Sequence, residues 1–172
     1  MVKLLGAAII LMAATLIGFA KAAQYSARPR QLREWISILQ RLETEIVYAV
    51  TPLPEALSTI AGHTPEPLGL LLKQLADRLE RPQGDAAALV WRDVLRRAWP
   101  GTALKQGELD ILLRLGSTLG LTDREDQVKH VRLAIGRLQA EEAAAREEER
   151  RYERMWKSLG ALIGALVVVL MY

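Results

Sequence analysis

Any chemistry in this chain would have to come from carboxylates, two histidines and a scatter of arginines. There is no cysteine to serve as nucleophile, thiolate ligand or disulfide partner. His63 and His130 are the only imidazoles. They stand far apart in sequence, outside any helical metal-ligand spacing with each other, and read as structural or exposed side chains. The closest groupings of carboxylates are Glu43 with Glu45, and Asp123 with Glu125 and Asp126. They fall at helix starts or on polar faces, without the apolar surroundings that raise a carboxyl into a general acid. No phosphate-cradling loop of the GxxxxGK(S/T) type occurs, no GxGxxG and no GxSxG elbow. The sequence therefore points to a non-enzyme with no catalytic residue, no metal ligand and no cofactor.

What the charged residues could do instead is meet a partner. Glu43 lies beside an otherwise apolar helical stripe, and it forms the candidate partner interface together with Glu45, Glu55, Asp123, Arg124 and Glu125. Arg28, Arg30 and Arg33 could touch phosphate, but they adjoin a long apolar run and lack interleaved aromatic rings. Contact with lipid headgroups is the expectation for them, and nucleic acid is not an expected partner. The overall balance, 23 basic against 20 acidic residues, agrees with that reading.

The elements that must position these groups are set by the distribution of charge. Leu4 to Ala20 and Ser158 to Tyr172 carry no charged side chain, whereas the middle is densely charged. At about 1.5 Å per residue the first run covers roughly 25 Å, close to the ~30 Å hydrocarbon core once Lys3 and Lys21 snorkel. The second run, roughly 22 Å by the same rise, is shorter. Basic residues crowd the inner flanks of both, with Arg28, Arg30 and Arg33 after the first and Arg146, Arg150, Arg151, Arg154 and Lys157 before the second. Basic flanks stay in the cytoplasm, so both runs are expected to span and the middle to lie inside. Ala14 with Gly18, and Gly160 with Gly164, have the small-xxx-small spacing that lets membrane helices pack closely. An alternative stays open, in which residues 1–22 are a signal peptide cleaved after Ala22 and the chain is an exported, tail-anchored scaffold.

Glycine and proline cut the middle into helix-length pieces with no sustained alternation, which predicts an all-α fold. The expected domains are 1–24 as an N-terminal transmembrane helix, 25–157 as a cytoplasmic bundle of about six helices, and 158–172 as a C-terminal transmembrane helix. Pro29 is expected to start the first bundle helix, whose buried stripe is Leu32, Trp35, Ile36, Leu39, Leu42 and Ile46. Short helices follow from Pro54 to Ile60 and from Leu68 to Leu79. A further one, capped at Gly84-Asp85, carries Leu89 to Leu95, and another covers Ala103 to Leu119 and closes at Gly120. Thr122 and Glu125 have capping-box spacing, and no proline follows, so one helix should run from Asp123 into the last apolar segment. Its seam is Val128, Val131, Ile135, Leu138, Ala145, Tyr152, Trp156 and Leu159, interrupted by Glu142 and Glu149, and its charge run from Glu141 to Arg154 reads as a solvated face. The first and last helices should lie antiparallel, with Leu32, Ile36 and Leu39 beside the membrane-proximal half of the last one.

Several segments carry a resemblance. Arg28-Pro29-Arg30-Gln31-Leu32-Arg33, Leu42-Glu43-Thr44-Glu45-Ile46, Thr51-Pro52-Leu53-Pro54-Glu55-Ala56, Asp123 to His130 and Tyr152 to Gly160 resemble the stage III sporulation protein AB family in order and spacing, over essentially the whole chain. That family looks like a reduced relative of the inner-membrane platform proteins of type II secretion and type IV pilus systems, whose cytoplasmic domains are six-helix bundles. The resemblance implies a platform component of the channel assembled between mother cell and forespore. It places the chain in the outer forespore membrane, its domain in the mother-cell cytoplasm. The implied partners are a secretion-type ATPase of the same operon, other membrane proteins of that channel and membrane lipid. Self-association of copies is left open.

Overall fold

Leu32, Trp35, Leu39 and Leu42 recur at three- and four-residue intervals, and all four are fully buried on one face of a helix over residues 26–44, α1. In this computed structural model, residues 26–49, 51–80, 86–119 and 123–171 are described, from 156 onward as backbone alone. Helical geometry already holds at residues 26–28, so α1 does not start at Pro29. The ring, whose fixed φ suits a helix, sits on its buried side. At Glu45–Ala49 the helix widens into a π-helical segment. The extra residue per turn rotates the stripe, leaving Ile46 only partly buried and Tyr48 exposed.

Pro52, extended, and Pro54, in the first turn, start α2 at Leu53–Ala61, which buries Ala56, Leu57 and Ile60. α3, Leu68–Glu80, packs back against it through Leu68, Leu71, Leu72 and Leu75. α4, Ala87–Ala98, contributes Val90, Trp91, Val94 and Leu95 and passes into a 3-10 turn at Trp99–Gly101. Its expected cap, Gly84-Asp85, lies outside the described residues. α5 is shorter than the pattern suggests, Gln106–Gly116, because residues 102–105 are non-helical and bury Leu104 before the helix begins. Gly120 lies outside the described residues. α6 is a single helix, Arg124–Met171, as the absence of proline implies. At its start the Asp123 Oδ1 accepts the Asp126 N–H at 2.9 Å, so Asp123 acts as the cap, and Thr122 lies outside the described residues.

The result is an all-α fold of six α-helices with no strand among the described residues. Their buried side chains form one core, in which each fully enclosed leucine contributes roughly 1.5–3 kcal/mol. α1 and α6 run antiparallel. Arg28 pairs with Glu141 and Glu148, Arg33 with Glu142, and Glu43 with Arg132, so that numbers rise along one helix as they fall along the other. This register sets Leu32 beside the Glu142 rung of α6, and Ile36 and Leu39 between that rung and Arg132.

Among the described residues no helix is long and apolar enough to cross a membrane. The first expected span, with Ala14 and Gly18, lies outside them. Gly160 and Gly164 fall on the α6 backbone.

Candidate functional site: a buried arginine clasp

One turn before Leu32 and two before Trp35, on the same face of α1, stands Arg28. It is 7% exposed, and so it does not reach for headgroups as its neighbourhood in sequence suggests. Its guanidinium donates from Nε and NH2 to Glu108 Oε1 at 2.8 and 2.5 Å, from NH2 to Glu141 Oε2 at 2.9 Å, and from NH1 to Glu148 Oε2 at 3.1 Å. Three carboxylates from two other helices therefore converge on one arginine, whose planar fork can serve several acceptors at once.

Glu108 has two duties. Its Oε1 takes Arg28, while its Oε2 accepts the backbone N–H of Lys105 at 2.7 Å and so closes the first turn of α5. It is 0% exposed. Lys105 returns the contact, with its Nζ at 2.9 Å from both oxygens of Glu148. One turn further along α1, the buried Gln31 accepts the Ala103 N–H at 2.8 Å through Oε1. The segment before α5 is thus tied once to α1 and once to α6, and Glu108 ties the first turn of α5 itself to α1.

The electrostatics follow from this geometry. The hydrogen bond from Lys105, and after it the charge and hydrogen bond of Arg28, hold the Glu148 carboxyl below its usual range against the opposing effect of desolvation. Asp93 is also lowered, chiefly by its hydrogen bond from Arg78, with Arg97 assisting. Glu34 is raised, since burial outweighs Arg30 and Arg33. Beside the clasp opens a cleft of about 780 Å³ walled by Arg28, Lys105, Glu148, Arg151, Tyr152 and Met155. No group of three or more potential metal ligands occurs among the described residues.

The charge run of α6 is therefore not a uniformly solvated face. Glu141 and Glu148 continue the seam through Ala134, Leu138 and Ala145 at three- and four-residue steps, and they are seam positions occupied by counter-charges to Arg28. The signal was present, since Arg28 extends the α1 stripe backwards at the same spacing. Lys105 and Glu108 also have the separation of a helix cap and its N3 carboxylate. Within the run Glu142 pairs with Arg146 one turn on, while Glu147 reaches Arg154 at 3.4 Å.

The candidate partner residues gather mainly at the opposite end of the α1–α6 pair. Glu43 Oε1 accepts from Arg132 Nε at 2.7 Å, Glu45 Oε2 accepts the Thr51 hydroxyl at 2.9 Å, and Arg124 NH1 lies 3.5 Å from the Val47 carbonyl. Asp123 and Glu125 are exposed at the start of α6, and Glu55 is exposed on α2.

Fold and clasp together define a class: an all-helical protein whose charged centre, a buried arginine with three carboxylates, braces three helices. The chain belongs to the stage III sporulation protein AB family, whose sequence pattern it matches over residues 3–172. It is 41% identical over 171 residues to Stage III sporulation protein AB of Bacillus subtilis (strain 168), covering 99% of each chain. A solved structure of Stage III sporulation protein AB (SpoIIIAB) superposes with a TM-score of 0.69 at 38% identity, over 73% of this chain and 98% of that one.

Proposed function

We propose that this chain is a non-enzymatic membrane platform of the sporulation channel, anchored by both terminal apolar runs in the outer forespore membrane, its bundle in the mother-cell cytoplasm. There it couples or anchors a secretion-type ATPase of the same operon to the other membrane proteins of the channel. The observation that carries this reading is the clasp. By fixing Arg28 against Glu141 and Glu148 of the antiparallel α6, it brings the start of α1 to the end of the bundle from which α6 continues towards Met171. Two anchors leaving one end display the remaining helices on one side of a bilayer, which is the geometry a docking platform requires. Family membership supports the sporulation role.

Co-purification tests it. The full chain, extracted with mild detergent from membranes of sporulating cells, should bring down the ATPase of its operon. The charge reversals Glu55→Lys and Glu125→Lys, both at exposed sites, should reduce that recovery several-fold. An ATPase that stays in the soluble fraction while the chain is present and membrane-bound would contradict the coupling role.

A further inference from the structure

Arg28, Arg33, Arg78, Arg97, Arg132 and Arg146 each pair with a carboxylate. Among the arginines that do not, two share the walls of one groove of about 320 Å³ between α5 and α6. Its walls carry Arg114 and Arg137 but no carboxylate, and neither arginine makes an ion pair with a described residue. His130 adds an imidazole to the α6 wall.

The shape of the groove is as specific as its charge. One wall presents Ile111, Arg114 and Leu115 of α5 with Thr118 of the turn after it, and the α6 wall His130, Leu133, Ala134 and Arg137. Each row follows the i, i+3, i+4, i+7 spacing of one helix face, and the two helices pack side by side, so a third ridge can settle between them. Leu115 and Ala134 form a buried floor, while Leu133 is 51% exposed on the rim. An apolar floor flanked by unneutralised cations is the complement of an amphipathic helix whose apolar residues are bordered by carboxylates.

We propose that this groove docks an acidic amphipathic helical segment, two to three turns long, of a protein partner. Each wall row spans roughly 10 Å, which sets that length. A nucleic acid is the poorer occupant, because no aromatic ring lines the groove to stack a base. Lipid is excluded by distance within the reading above: α6 is unbroken, so Arg137 stands roughly 30 Å along its axis from Ser158. The inference rests on that reading only for the partner being a protein of the channel.

The test is a binding measurement on the full chain in detergent micelles. Three fluorescent probes are compared: a 14-residue helical peptide with leucines at i, i+4 and i+7 flanked by glutamates, the same peptide with lysine for glutamate, and a single-stranded DNA 12-mer. The glutamate peptide should bind at least tenfold more tightly than the lysine peptide, and its affinity should fall as salt rises. Arg114→Glu with Arg137→Glu should reverse the preference, and Leu133→Asp should weaken the glutamate peptide at least fivefold. All three positions are exposed. Should the double reversal disturb the circular dichroism spectrum, Arg114→Ala with Arg137→Ala must still weaken the glutamate peptide fivefold. Equal binding of both peptides, unchanged affinity in the variants, preference for the oligonucleotide, or self-association abolished by Arg137→Glu without peptide binding would each overturn the proposal. Peptide binding needs neither ATPase nor bilayer, so its failure is distinct from a failure of the platform reading.

Discussion

Arg28 and Arg132 are both arginines bridging α1 and α6, and the physics of their surroundings separates them. Arg28 is enclosed with Glu108, so its removal leaves a buried carboxylate without its counter-charge. Arg28→Met should cost about 3–5 kcal/mol in denaturant unfolding of the full chain. Arg132 is 67% exposed, and Arg132→Ala should cost less than about 1 kcal/mol. Equal effects would show that the clasp is no more than a surface pair. Acid should loosen the clasp at Glu148 and the separate Arg78–Asp93 pair. Glu148 and Asp93 are lowered in the folded chain, so the stability they contribute is complete above their unfolded values and is lost as pH falls through their lower folded values. Glu34 is raised and works in the opposite sense, favouring the fold in acid. Thermal melts between pH 7 and pH 3 should fall below about pH 4.5, where unfolded carboxyls titrate, and Glu148→Gln should flatten that fall. An unaltered acid profile in Glu148→Gln would remove Glu148 from the account.

Elements were legible in the sequence wherever one rule governed them. The α1 stripe, the prolines before α2 and the proline-free stretch of α6 each predict a helix from neighbouring residues alone, and each helix forms. What was not legible joins distant residues: Arg28 meets its carboxylates across 80, 113 and 120 positions. Beside an apolar run an arginine invites a headgroup reading, and a run of Glu and Arg on a helix invites a solvated one. Only the register of α1 on α6 brings the two together. The π-helical segment at Glu45–Ala49 likewise depends on packing against α6 and has no signature in composition. Two glycines test the element packing. A Cβ at Gly116 would overlap the indole of Trp91, whose Nε1 donates to the Leu112 carbonyl at 2.9 Å. Gly116→Ala should therefore destabilise by about 1–3 kcal/mol. Gly136 faces open space on α6, and Gly136→Ala should stabilise by about 0.5–1 kcal/mol by removing backbone freedom from the unfolded chain. Chemical denaturation of the two variants checks both signs.

For the whole molecule, the clasp converts an antiparallel helix pair into a directional scaffold. α5 is locked to both partners through Glu108 and Lys105. The far end of the pair is where Glu43, Glu45 and the start of α6 meet, and the basic groove lies between α5 and α6. The proposed platform puts the bundle on the cytoplasmic side with both terminal segments in the membrane. The most direct measurement places a single cysteine at the exposed His63, in the turn between α2 and α3 of this cysteine-free chain, and applies a membrane-impermeant maleimide to intact sporulating cells. The account predicts protection until the mother-cell membrane is opened, followed by complete labelling; labelling in intact cells would contradict it and favour the exported scaffold.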